Sequence, residues 1–168
     1  FNLPQRQHQA SPIWSPLMDP HALVTPQCVI PTLKVPSKDE ALAVLAERAA
    51  GLVGLDPRSI YRALVERERL GTTGIGSGVA IPHGRMDELQ NPCIVFARLA
   101  APIPFEAIDE QPVDLLFLLL SPEREGTLHL KVLSRISRLL HDANLCRKLR
   151  STATTEGLCS LLADYLGS

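Results

Sequence analysis

Thr73-Gly74-Ile75-Gly76-Ser77-Gly78-Val79-Ala80-Ile81-Pro82-His83-Gly84 is the stretch on which the reading of this chain turns. It runs from a segment rich in Gly and Thr, which starts at Gly71, into the short apolar run Val79 to Pro82. It ends in a histidine followed at once by glycine. The apolar run predicts a strand, and a loop beside that strand is expected to deliver His83.

A lone histidine is most often structural, but His83 follows a proline and precedes a glycine instead of lying on an apolar helical face. Gly74, Gly76, Gly78 and Gly84 would let backbone amides approach whatever sits on the ring, and such amides hold anions well. Pro82 fixes the local backbone direction. With an ordinary pKa of about 6.5, an imidazole keeps a large neutral, nucleophilic fraction near neutral pH, which suits reversible phosphoryl transfer. The residues alone therefore make His83 a candidate for anion handling. Which ring nitrogen would react is not legible in the sequence.

Two other side chains are candidates for the same chemistry. His129 falls in the first turn of a helix expected to be capped by Thr127, where ring and free amides could converge on an anion; a surface histidine near a helix cap fits the spacing equally well. Arg67, late in the helix before the glycine run, could neutralise a phosphoryl oxygen, or could pair with its neighbours Glu66 and Glu68. Other chemistries find little support. Gly74, Gly76 and Gly78 make G-x-G-x-G, neither the dinucleotide fingerprint nor a nucleotide-phosphate loop, and Ser77 does not sit in G-x-S-x-G. His8 and His21 belong to an N-terminal tail and His141 to a helix end, where ordinary surface roles suffice.

Outward from this stretch, strands and helices interleave. Cys28 to Val35 reads as a strand, and Ser37 with Glu40 forms a capping box for a helix expected to end at Gly51. Asp56 and Pro57 start a second helix, which Gly71 ends. Cys93 to Leu99 and Val113 to Leu120 have the content of buried strands, the second expected to be central. A helix from Thr127 carries Leu130, Leu133, Ile136, Leu139 and Leu140, and shorter helices are expected over Asp142 to Leu149 and Thr155 to Leu166. The expected fold is α/β, a single domain with a mixed β-sheet sandwiched between helices.

The chain has 168 residues, enough for one domain with a full core. Residues 1–25 are rich in Pro and aperiodic and are read as a flexible N-terminal extension, with the folded domain over 26–168. A net charge of -1 gives no global pull towards nucleic acid or an anionic membrane, so any electrostatic function must be local. The local bias lies in Lys131, Arg135, Arg138, Arg147, Lys148 and Arg150, for which a solvated helical face is favoured over a docking surface for an acidic protein. The longest apolar run is far short of the roughly 20 residues of a membrane helix. Cys28, Cys93, Cys146 and Cys159 are widely spaced, with no metal or disulfide pattern, so reduced thiols in a cytoplasmic protein are expected.

The stretch from Thr73 to Gly84 resembles the active-site segment of the type-2 IIA proteins of the bacterial phosphotransferase system. The likeness continues through Phe105-Glu106-Ala107-Ile108-Asp109, Gln111-Pro112-Val113-Asp114 and His129-Leu130 with Leu133. Gly74-Ile75-Gly76 and the stretch from Ala107 to Asp114 look most like the nitrogen-regulatory branch. Only the N-terminal extension, longer than the family's, lies outside the likeness.

The resemblance implies a phosphotransferase in which His83 is the phosphorylated nucleophile, assisted by His129 and Arg67, with Gly76, Ser77 and Gly84 near the phosphate and no metal or cofactor. It implies a histidine phosphocarrier protein as donor, and regulatory targets such as a sensor kinase, potassium transport or metabolic proteins. Neither nucleic-acid binding nor membrane insertion is expected. The alternative within the family is a sugar-specific IIA component of the fructose or mannitol type, passing the group to a membrane permease. Two further readings are weaker: a binding domain that keeps only the architecture, as in some anion exchangers, and a metal hydrolase using His83, His129 and Asp109 or Asp114.

Overall fold

The computed structural model describes residues 20–124 and 126–167. A short helix α1 (Pro20–Leu23) and a 3-10 turn lead into strand β1 (Val29–Leu33). Then follow α2 (Lys38–Val53), α3 (Pro57–Leu70), three short strands β2 (Gly74–Gly76), β3 (Val79–Ala80) and β4 (His83–Met86), and two long ones, β5 (Cys93–Ile103) and β6 (Val113–Pro122). Helices α4 (Gly126–Leu140), α5 (Ala143–Ser151) and α6 (Thr155–Gly167) close the chain.

Two helix starts follow the caps read from sequence: Ser37 Oγ accepts from the Glu40 amide and Asp56 from Arg58. Asp142, expected only as the start of a helix, caps α5 in the same way, accepting from Asn144 and Leu145. Two boundaries move. Helix α2 runs past Gly51 to Gly54, because Gly54 takes the left-handed conformation (φ 72°) that lets its amide close on Ala50 at 2.8 Å. Helix α4 starts at Gly126, so Thr127 already lies in the first turn, and a residue inside the helical backbone is no longer its cap.

The sheet runs β1-β5-β6-β3-β2, with β4 also pairing to β6. Strand β6 is central, as its apolar run predicts: Leu116, Leu118 and Leu120 face the core under α2 and α3, while Leu115, Phe117 and Leu119 face the core under the C-terminal helices. The β5–β6 pair is antiparallel, whereas β1–β5, β3–β6 and β4–β6 are parallel, so the sheet is mixed. The core reaches further N-terminal than the boundary expected at Pro26. Val24 is buried in the cluster that holds Leu158, Leu162 and Leu166 of α6. The rest of the expected extension, with His8, lies outside the described residues.

Two features set the position of the histidine. Strands β3 and β4 lie along one edge of β6, pairing with Leu115 and Leu116 and then with Leu119 to Pro122, and Ile81 and Pro82 interrupt them. Proline has no N–H for the ladder, but its carbonyl still accepts from Leu119 at 3.0 Å. His83 is thus the first residue of a strand and not a loop residue, since pairing with β6 resumes at its own position. The glycine run, meanwhile, is a hairpin between β2 and β3 whose turn residues Ser77 (φ 56°) and Gly78 (φ 79°) both take positive φ.

Arg98 and Arg150 hold the C-terminal layer. Arg98 donates to the carbonyls of Pro31 and Leu149 at 2.9 Å and of Thr152 at 2.6 Å, satisfying the open end of α5. Arg150 grips Asp114 through both of its oxygens and the Ser77 carbonyl at 2.8 Å, tying α5 to the hairpin. Cys28, Cys93 and Cys146 are buried free thiols, and burial pushes the Cys93 thiol up to about 12.

Gly74 backs directly onto Ala107: a Cβ there would lie 2.8 Å from the Ala107 Cβ and 2.9 Å from its Cα. Gly74→Ala is therefore expected to destabilise the protein by about 1–3 kcal/mol in urea titrations. Gly51→Ala, in open helix, is expected to stabilise it by about 0.5–1 kcal/mol.

Candidate functional site

His83 stands at the start of β4 with both ring nitrogens engaged. Nδ1 lies 2.8 Å from the Ile81 carbonyl oxygen, two residues back across the proline. A carbonyl only accepts, so Nδ1 carries the proton. Arg67 Nε donates to Nε2 at 3.1 Å, which requires a lone pair there. The two contacts together select one neutral tautomer, with Nδ1 protonated and Nε2 free to act as a nucleophile.

Arg67 is itself held in place. It occupies the last turn of α3, and its Nη1 donates to the Gly71 carbonyl at 2.9 Å, so the guanidinium bridges the helix end and the imidazole. Glu68 does not compete for it. That carboxylate pairs with Lys38 Nζ at 2.8 Å and accepts from the Thr73 amide and hydroxyl, pinning the start of the glycine run to α3. Lys38 also lies over the Phe105 ring.

His129 comes from the first turn of α4 and is buried, with 7% of its surface exposed; its ring centroid lies 5.6 Å from that of His83, tilted by 43°. Of the two readings open in the sequence, the surface one is excluded by this burial. Its Nδ1 is buried with no hydrogen-bond partner among the described residues. Burial, the neighbouring His83 and the Arg85 guanidinium push His129 down to about 4. Burial likewise holds His83 below its ordinary value, against the Ile81 carbonyl, with Arg67 lowering it further. Both rings are thus neutral near pH 7.

The three side chains open on one hollow of about 880 Å³. Gly84, Ala63 and Gly126 line its floor, Arg85, Glu66 and Glu123 its polar wall, and Leu70, Leu130 and Leu133 its apolar side. Leu70 and Leu130 are 86% and 66% exposed, although nothing in the core calls for leucine there. Arg85, two residues along the strand from His83, escaped the sequence reading; alternation along a strand from a reactive residue is the signal that points to it.

Gly76 and Ser77 do not line this hollow. The Ser77 amide donates to Asp109 at 2.9 Å, and a Cβ on Gly76 would meet the same carboxylate at 3.3 Å. The hairpin spends its glycines on turn conformation and close packing, and its one singled-out amide is already satisfied. Of the expected phosphate-side residues only Gly84 reaches the hollow, and a Cβ there would make ordinary contact with Ala63 at 3.5 Å. Asp109 and Asp114 are committed to the turn and to Arg150, and the described residues hold no cluster of His, Cys, Asp or Glu suited to a metal.

The mixed sheet between helices is the fold of phosphotransferase IIA structures, and the sequence comparison agrees. Residues 22–165 match the family described as phosphoenolpyruvate-dependent sugar phosphotransferase system, EIIA 2, and the chain belongs to that family. Within it, the chain is 50% identical over 141 residues to the nitrogen regulatory protein of Bradyrhizobium diazoefficiens, covering 84% of this chain and 92% of that one. It is 41% identical over 143 residues to the nitrogen regulatory protein of Escherichia coli, covering 84% and 88%. The crystal structure of nitrogen regulatory protein IIA-Ntr from Neisseria meningitidis superposes with a TM-score of 0.81 at 30% identity, covering 84% of this chain and 97% of that one. Among the described residues, no helix is long and apolar enough to cross a membrane.

The depressed histidines set a pH dependence. In the unfolded chain each imidazole titrates near 6.5, while folded His129 titrates at about 4, so between those values the folded state binds fewer protons. The stabilisation is full above about 6.5 and is lost as pH falls towards 4. Urea titrations at pH 7.5 and 4.5 are expected to show a smaller pH-dependent loss for His129→Asn than for the parent chain. In NMR titrations, His83 is expected to protonate below 6.5 and to show the Nδ1-protonated tautomer above it.

Proposed function

We propose that this IIA protein is a regulatory phosphocarrier of the nitrogen-related phosphotransferase system that takes a phosphoryl group onto Nε2 of His83. The observation that carries this reading is the pair of contacts on one ring: Ile81 oxygen at 2.8 Å from Nδ1 and Arg67 Nε at 3.1 Å from Nε2. The donor is a phosphorylated histidine phosphocarrier protein. The Nε2 lone pair attacks its phosphorus, the donor's P–N bond breaks, and that electron pair returns to the donor's ring nitrogen. The proton stays on Nδ1, which donates it to the Ile81 carbonyl, and that acceptor stabilises the positive charge the ring acquires.

Arg67 serves both ends of the step. Its Nε–H leaves the lone pair as the new bond forms and moves to a phosphoryl oxygen, while Nη1 stays anchored on Gly71. His129, held neutral, keeps an N–H to donate to the same group without charging the site beforehand. Gly84 leaves room at the base of the hollow. The output is regulatory, in keeping with relatives named nitrogen regulatory proteins; cytoplasmic partners such as a sensor kinase, potassium transport or metabolic proteins would sense whether the group is present. The family description names a sugar system, which favours a second reading in which the group passes on to a sugar permease.

Incubation with a phosphorylated histidine phosphocarrier is expected to label the protein with an acid-labile, base-stable phosphate. His83→Ala should abolish the label. Arg67→Ala should slow labelling by about a hundredfold and Arg67→Lys by less, since lysine keeps the charge and loses the planar fork. Full labelling of His83→Ala would contradict the proposal, and restored sugar uptake in a strain lacking a sugar IIA would favour the second reading.

A further inference from the structure

Beside the histidine hollow lies a second, shallower cleft of about 430 Å³ along the outer face of α4, lined by Thr127, Leu130, Lys131, Ser134, Arg135 and Arg138. These positions recur every three or four residues and form one stripe down the helix. Three of the six are cations and none is a carboxylate. Lys131 and Arg138 are exposed and make no ion pair among the described residues. Arg135 is half-buried, with Nε on the Leu166 carbonyl at 3.1 Å, so its position is fixed by α6.

The other large cleft, of about 570 Å³ between α2 and α3, carries Arg58, Arg62 and Arg69 but also Glu47 and Glu66, so two of its three positive charges are offset. In the α4 cleft none is. A positive stripe with no carboxylate in it, anchored at Arg135, on a chain whose net charge is -1 is a local electrostatic device. The stripe also contains Leu130, 66% exposed, which suits a protein better than a phosphodiester backbone. Moreover, Thr127 and Leu130 line this cleft and the His83 hollow alike, so one occupant reaches both.

We propose that the α4 stripe docks an acidic segment of a partner protein, with Leu130 as its apolar contact and Lys131, Arg135 and Arg138 as its charges.

The test uses fluorescence anisotropy at low salt with a labelled peptide of repeating Glu-Glu-Leu as probe, a Gln-Gln-Leu peptide as its neutral counterpart and a short DNA duplex as the other polyanion. The parent chain is expected to bind the acidic peptide and to lose it as salt rises. Lys131→Glu with Arg138→Glu should weaken binding about tenfold or more, the two glutamines Lys131→Gln and Arg138→Gln should weaken it less, and circular dichroism should report an intact fold for all. Equal affinity of the charge-reversed chain, equal binding of the glutamine peptide, or preference for the duplex would overturn the docking surface.

Discussion

The contact between the Ile81 carbonyl and Nδ1 of His83 is the constraint on which this molecule's chemistry depends. It exists because Pro82 breaks the strand: residues on either side pair with β6, and the chain between them folds its own carbonyl back onto the ring. An imidazole is otherwise free to exchange its proton between two nitrogens. Fixing it on Nδ1 exposes Nε2 to the hollow, and Arg67, tethered to the Gly71 carbonyl, meets that nitrogen from the opposite side. The distance from helix α3 to strand β4 is thereby written into the geometry of one ring.

Electrostatics follow from burial. The site holds two histidines and two arginines, Arg67 and Arg85, with Glu66 and Glu123 on its wall. Desolvation and like charge nevertheless lower both imidazoles, so the hollow contains two neutral rings beside its two guanidinium groups. That is the state an incoming dianionic group needs: cations to meet its oxygens, a lone pair to take its phosphorus, and a neutral donor beside it. Glu68 pulls His83 the other way, as the smallest of the influences on it, with its carboxylate held by Lys38 and Thr73.

Much of this was legible in the sequence because it is local. Caps at Ser37 and Asp56, the two-faced apolar run of β6 and the isolation of His83 between proline and glycine are all written in neighbouring residues. What was not legible depends on distant pairings. The glycine run suggested amides awaiting an anion, and the fold gives the Ser77 amide to Asp109, 32 residues away. Arg150 read as part of a solvated helical face and Arg98 carried no signal, yet each binds carbonyls or a carboxylate brought up by another element. Helix α2 outran Gly51 because glycine ends a helix only where the backbone turns left-handed, and Gly54 does so. The choice between a surface and a buried His129 needed the packing of α4 against the sheet, which spacing alone does not contain.

The account stands on the nitrogen that reacts. A nitrogen–phosphorus correlation spectrum of the phosphorylated protein, with the imidazoles labelled with nitrogen-15, measures that directly. The account predicts a single phosphohistidine, His83, with phosphorus coupled to Nε2 and a proton retained on Nδ1. Phosphorus on Nδ1 of His83, or on His129, would contradict it.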